Sequence, residues 1–293
     1  MTAFEWLRAR ADRFLPVPHG QVRRDLADLV RGSQRERPRI LDAGGRRSPY
    51  TMGLPAAITI LELPGYGVDQ DLGVTEATLA HLKRRRSNID DMVLESMIDC
   101  SLPSESFDGV VCVEVIEHVR EDDRFVEQVA RVLKPGGWAY FTTPNGDYIR
   151  NEPPHFNPDH VRHYRREELR DLLSSRFGKV DVRYGVKTGR NRVRGLRSLE
   201  LRRPVRSIVT AWSNVMNWRE SNGLEQQSQR TAHLFALCWK RGVGVAWVGA
   251  EASEAYGSDL MPSPGRRAAS PGPSVVGMTL RAAGRPPGET ATP

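Results

Sequence analysis

Glu114, Glu117 and His118 fall at spacings of three and four, so one helical turn would gather two carboxylates and an imidazole on a single face. An imidazole titrates near neutral pH and is the better general base of the three, since an exposed glutamate is too weak a base for an alcohol. The same spacing also fits a capped helix start with an exposed acidic turn. Upstream, Ile40 and Leu41 read as the end of a short buried strand, with Asp42 as a carboxylate at its C-terminal edge. Gly44 and Gly45 then allow a tight turn and the close approach of a ligand. A second apolar run, Ala57 to Leu61, ends in Glu62, about twenty residues on, the usual distance to a ribose-binding acid in nucleotide folds. A third acid, Asp99, precedes the strong strand Phe107 to Val113. Acids at successive strand ends suit a parallel sheet that holds a nucleoside at its C-terminal edge.

The elements that must position these groups follow from periodicity and breakers. Phe4–Phe14 and Gln21–Val30 read as two helices split by Pro16, Pro18 and Gly20, an N-terminal cap over residues 1–37. Strands are expected at Arg39–Asp42, Ala57–Glu62, Met92–Ile98, Phe107–Val113, Trp138–Thr143, Val180–Val186 and Ala232–Trp239. Helices are expected at Thr75–Arg86, Asp122–Leu133 and Arg166–Ser174. Lys83-Arg84-Arg85-Arg86 suits the negative end of the first of these helices. Lys134-Pro135-Gly136-Gly137 stops the second. Residues 187–230 form an insertion between the last two strands, with Ile208, Val209, Trp212, Val215 and Met216 on one helical face. Val243, Val245 and Trp247 alternate like a short edge strand. From Gly249 to Pro293, Gly, Pro, Ala and Ser dominate and disorder is expected.

The chain of 293 residues carries a formal net charge of +7. Nine basic residues lie between Arg183 and Arg206, relieved only by Glu200. Such a span suits phosphate, nucleic acid or an anionic lipid surface, or is a solvated face. Cys100, Cys112 and Cys238 show no metal-ligand spacing and read as buried thiols of a reducing compartment. The N-terminus lacks the apolar core of a signal peptide, and no run is apolar and long enough to span a membrane. A cytoplasmic protein is expected.

The order Leu41-Asp42-Ala43-Gly44-Gly45, Leu61-Glu62, Ile98-Asp99-Cys100-Ser101-Leu102-Pro103, Phe107-Asp108 through Glu114-Val115-Ile116-Glu117-His118, and Arg131-Val132-Leu133-Lys134-Pro135-Gly136-Gly137 resembles the class I S-adenosylmethionine-dependent methyltransferases. The resemblance covers Arg39 to Val186 and resumes at Thr231 to Lys240. It implies an α/β, Rossmann-like seven-stranded sheet with helices on both faces, over residues 38–248. It also implies that Gly44 and Gly45 meet the methionine end of the cofactor and that Asp42 is a cofactor-binding residue with them. Glu62 would then hold the ribose hydroxyls, and Asp99 and Cys100 would flank the adenine. Arg46 and Arg47 stand where the family usually has a further glycine, and the turn does not fit the G-x-G-x-x-G of a dinucleotide site.

The implied reaction is an in-line displacement at an activated methyl, in which the protein aligns the acceptor and excludes water. An oxygen acceptor must also lose a proton, to a general base or through a metal-bound oxygen. Glu114-Val115-Ile116-Glu117-His118 is similar to a run in ubiquinone-pathway O-methyltransferases and in small-RNA 3′-end 2′-O-methyltransferases, where these residues bind a divalent cation. His160 is placed like the later histidine that completes the RNA enzymes' site. Asn157 to Arg162 also looks like bacterial methyltransferases of sugars and natural products, where His155, His160 and His163 have no assured role. Base and metal readings of Glu117, His118 and His160 therefore stay open. Val113-Glu114 stands where base amino-methyltransferases carry an Asn/Asp-Pro-Pro-aromatic run, which disfavours base N-methylation. O-methylation of a small molecule or glycan is the leading expectation. RNA ribose bound through the basic insertion is the second, and a non-catalytic binding protein the third.

Overall fold

A computed structural model describes residues 14–45, 49–63, 76–153, 156–189 and 202–242, together with Thr2, Glu5, Trp6, Arg10 and Asn191. Seven strands form one sheet: β1 (Arg39–Ala43), β2 (Ala57–Glu62), β3 (Ile89–Leu94), β4 (Phe107–Val113), β5 (Leu133–Pro144), β6 (Lys179–Lys187) and β7 (Thr231–Trp239). Their spatial order is β3-β2-β1-β4-β5-β7-β6. The first five strands pair in parallel. β7 enters antiparallel between β5 and β6. This is the expected α/β, Rossmann-like seven-stranded arrangement.

Because side chains alternate across a strand, the apolar runs feed two cores. On one face Leu41, Val110, Cys112, Ala139 and Phe141 meet helices α3 (Asp122–Val132) and α4 (Arg166–Ser174) through Phe125, Val129, Leu169 and Leu173. On the other, Ile40, Ile58, Ile60, Val111 and Tyr140 meet α1 (Val17–Arg31) through Val22, Leu26 and Val30. All three cysteines are buried and free.

Several boundaries differ from the sequence expectation, each for a local reason. α1 begins at Val17, not Gln21, since a proline in the first helical turn loses no needed N–H. It packs on one face of the sheet as part of the core. β3 spans Ile89–Leu94, not Met92–Ile98. As an edge strand it tolerates the exposed Asp90 and Asp91, while Met97–Asp99 forms a 3-10 turn. β5 begins at Leu133, because Gly136 and Gly137 continue the ladder by pairing with Lys240 (Gly136 N–H to Lys240 O, 3.2 Å; Lys240 N–H to Gly137 O, 2.9 Å). The insertion helix, α5 (Pro204–Ser221), buries Thr210, Ser213, Asn214 and Asn217. The expected apolar face is turned outward instead, with Ile208, Val209 and Trp212 exposed and Val215 and Met216 half-buried. The helix α2 runs Glu76–Arg85.

Most of the expected 4–14 helix, residues 46–48 and 64–75, His155, the segments 192–201 and 243–248 and the 249–293 tail lie outside the described residues. Among the described residues no helix is long and apolar enough to cross a membrane.

Candidate functional site

Every parallel strand ends on the same edge, and β7 begins there (Pro144 opposite His233, Lys187 opposite Thr231). At β1 the chain leaves through Gly44, whose φ of +72° is the left-handed region that favours glycine. Its N–H bonds Leu61 O on β2 at 2.8 Å. A Cβ on Gly45 would lie 2.3 Å from Asp42 Cγ, so only glycine fits there.

Asp42 is fully buried. Thr51 donates its hydroxyl to Asp42 Oδ2 at 2.5 Å, and the buried Arg86 guanidinium lies 3.8 Å from the same oxygen. Arg86 also donates to Thr51 Oγ1 at 2.6 Å and to Gly45 O at 3.0 Å. The fourth residue of the basic run after α2 thus turns inward and clamps the glycine turn. Burial pushes the Asp42 carboxyl up to about 6, Arg86 and Thr51 opposing the shift and Glu62 adding to it. Burial holds the Arg86 guanidinium below its usual value.

Glu62 ends β2, half-buried and close enough to act on Asp42. Asp99 is exposed on its 3-10 turn, not at a strand end, and Cys100 follows, buried. Arg131 fixes that loop by donating to Cys100 O at 3.0 Å and Leu102 O at 2.7 Å.

Past β4 the backbone strains. Glu114 has φ +54°, a left-handed conformation rare for a side-chain-bearing residue and typical of functional turns. Thr142 compensates: its hydroxyl donates to Glu114 Oε1 at 2.7 Å, and its oxygens accept the Glu114 N–H. Glu114 Oε2 lies 3.8 Å from His233 Nε2 on β7.

A 3-10 turn, Ile116–His118, then sends Glu117 inward and His118 outward, instead of placing Glu114, Glu117 and His118 on one helical face. The loop after β5 docks on this turn, with Val161 N–H bonded to Glu117 O at 2.7 Å. It carries His160 to the site: Glu117, His118 and His160 offer ligand atoms all within 4.8 Å of one another. Glu114 is not in that trio but acts on both Glu117 and His160 through its charge.

The carbonyls around the imidazoles set their tautomers. His118 Nδ1 lies 2.8 Å from Asp159 O, and His163 Nδ1 lies 2.6 Å from Ile149 O. A carbonyl only accepts, so both nitrogens carry protons. In the neutral His118 ring, Nε2 is then the lone pair. In neutral His163, Nε2 is the acceptor, so His160 Nδ1 donates to it across 2.8 Å and His160 Nε2 is also a lone pair. Burial first, then His118 and His163, hold His160 below its usual value, which favours its neutral form. Burial and then Glu114 push the Glu117 carboxyl well up. Neither Glu117 oxygen has a hydrogen-bond partner of normal geometry among the described residues.

Beside this cluster, Ile149 also lines a cavity of about 760 Å³ with Tyr148, Lys187, Thr188, Glu220 and Arg230. A separate 570 Å³ cavity lined by Asp108, Lys134 and Arg183 opens at the opposite edge, where β4 and β5 begin.

Sequence reading missed Thr51, Arg86, Thr142 and His233. Arg86 was hidden in a surface-like basic run and His233 in an apolar strand. Only the three-dimensional pairing of β5 with β7 brings His233 to Glu114.

A family model described as "Methyltransferase domain" matches residues 17–178. The chain belongs to that family, and its sheet and glycine turn have the class I methyltransferase arrangement. It is 35% identical over 121 residues to a protein of Mycolicibacterium smegmatis named as a probable S-adenosylmethionine-dependent methyltransferase, covering 41% of this chain and 45% of that one. It is 30% identical over 106 residues to a ubiquinone biosynthesis O-methyltransferase of Paracidovorax citrulli, covering 36% and 39%. The chain thus spans under half the length of these curated relatives. A crystal structure of an S-adenosylmethionine-dependent methyltransferase from Archaeoglobus fulgidus superposes with a TM-score of 0.48 at 15% identity, covering 81% of this chain and 95% of that one.

Proposed function

We propose that the chain transfers the methyl group of S-adenosylmethionine to an oxygen of a small molecule or glycan, with His118 as the base. The observation that carries this is the pair of imidazole lone pairs, His118 Nε2 and His160 Nε2, fixed beside the strand edge that bears the glycine turn. S-adenosylmethionine, when bound, would supply a methyl carbon activated for attack by the acceptor oxygen, its sulfur keeping the electrons of the broken carbon–sulfur bond, while His118 Nε2 takes the acceptor proton. Gly44, Gly45, Glu62, Asp99 and Cys100 form the cofactor side, and Asp42 shapes the turn from within. The ubiquinone O-methyltransferase relative supports an oxygen acceptor.

The buried Glu117 carboxyl, with no hydrogen-bond partner of normal geometry, and two imidazole donors also fit a divalent cation, whose charge would favour the carboxylate form. Glu117, His118 and His160 would hold it, and it would lower the acceptor hydroxyl's pKa. RNA ribose is the second acceptor reading, supported by Lys187 and Arg230 in the neighbouring cavity.

The test uses radiolabelled S-adenosylmethionine against pools of glycans, small phenols and RNA. His118→Ala should lower turnover by about 10²-fold or more and leave cofactor affinity, read by titration calorimetry, unchanged. Loss of activity in EDTA, restored by added cation, selects the metal version. Full turnover in His118→Ala would remove both.

A further inference from the structure

α5 is amphipathic the wrong way round. Thr210, Ser213, Asn214 and Asn217 repeat at i, i+3, i+4, i+7 and are buried. Two of them are tied inside through their amide nitrogens: Asn214 Nδ2 donates to Phe14 O at 3.1 Å and Asn217 Nδ2 to Lys187 O at 2.6 Å. Val205, Ile208, Val209 and Trp212 repeat at the same spacing and face outward, at 74%, 68%, 42% and 59% exposure. The two stripes are offset by five residues, about 140° around the helix. A contiguous β-branched and tryptophan stripe in water marks a surface that something apolar covers.

The charges around the stripe identify what covers it. Arg202, Arg203 and Arg206 are exposed at its N-terminal end, and Arg219 is exposed on the stripe itself two turns past Trp212. The sequence leading into the helix adds Arg190, Arg192, Arg194 and Arg197. Between α5 and α1 runs a groove of about 820 Å³, lined by Arg23, Arg24, Arg31 and Arg219 with Leu54 and Trp218. A second copy of this chain would set arginine against arginine across a two-fold axis, which like charge opposes. Nucleic acid would meet the arginines but gain nothing from Val205, Ile208 and Val209. Apolar chains beneath negatively charged headgroups satisfy both halves of the face, and tryptophan favours that boundary.

We propose that α5 and its flanking arginines dock the protein on an anionic lipid surface. The end of α5 carries Glu220 into the cavity beside the histidine cluster, so docking would bring that edge of the sheet near the headgroups.

The test is co-sedimentation of the full chain with vesicles of phosphatidylglycerol and phosphatidylcholine, against phosphatidylcholine alone. Binding should be strong on the anionic vesicles, fall with salt, and be roughly tenfold or more weaker on the neutral ones. The double variant Ile208→Ser/Trp212→Ala, altering exposed positions, should keep its thermal midpoint and lose anionic-vesicle binding by roughly tenfold or more, since two buried apolar side chains are removed from the contact. Wild-type binding by the double variant would overturn the proposal. So would a self-associated species, or an RNA complex, that the double variant abolishes while vesicles bind neither form.

Discussion

Asp42 and Arg86 show that a buried acid at a ligand-facing turn has two audiences. The Thr51 hydroxyl and the Arg86 guanidinium stand around its carboxylate, so part of its charge is spent inside the protein. Its ordinary value is 3.8 and the folded one about 6. Between those values the folded chain keeps a proton the unfolded chain has shed, so stability is lost as pH rises through that window and stays lost above it. Asp42→Asn carries no such proton. Its stability relative to wild type, followed by urea melts, should climb from about pH 4 to about 6.5 and then level off, by at most on the order of 3 kcal/mol. A flat difference across that range would contradict the burial argument. At this scale the sequence was informative about residue types, with Asp42, Gly44, Gly45, Glu117, His118 and His160 all near the working edge. It was silent on partners, because Thr51 reaches Asp42 only once the loop between β1 and β2 has folded back, and Arg86 only once α2 has packed there.

Strands with uninterrupted apolar runs were legible, and elements whose packing inverts the usual pattern were not. β4, buried on both faces, lies where its sequence says, since Val110, Val111 and Cys112 cannot face water on either side. β3 slipped in the reading because Met92, Val93, Leu94, Met97 and Ile98 look more apolar than Ile89-Asp90-Asp91. An edge strand needs only one buried row, which Ile89 and Met92 supply. α5 could be found by its period but not oriented by it, since the period reports two stripes and not which one faces inward. Glycine within β4 is a packing requirement: a Cβ on Gly109 would lie 2.4 Å from the Trp138 ring on β5. Gly109→Ala should therefore cost about 1–3 kcal/mol in thermal or urea denaturation, with a matching loss of order at Glu114 five residues along. An unchanged melting midpoint would show that Trp138 swings aside freely.

Among the described residues all seven strands lie before Lys240. A chain ended at Val245 should therefore melt within about 1 kcal/mol of the full one and bind S-adenosylmethionine with the same affinity by calorimetry. A large loss of either would mean that later residues complete the sheet or the site. The placement of β7 carries a further consequence for how the chain is made. Among the described residues β6 pairs only with β7, yet Lys187 is complete 52 residues before Trp239. On a ribosome adding about 5–20 residues per second, β6 waits several seconds with no strand beside it, and the flank of β5 stands open for as long. His233 arrives with the same late strand. The nascent protein thus owns its glycine turn and its histidine loop before β5 and β6 are joined, and β7 on emerging both joins them and sets its own imidazole against Glu114.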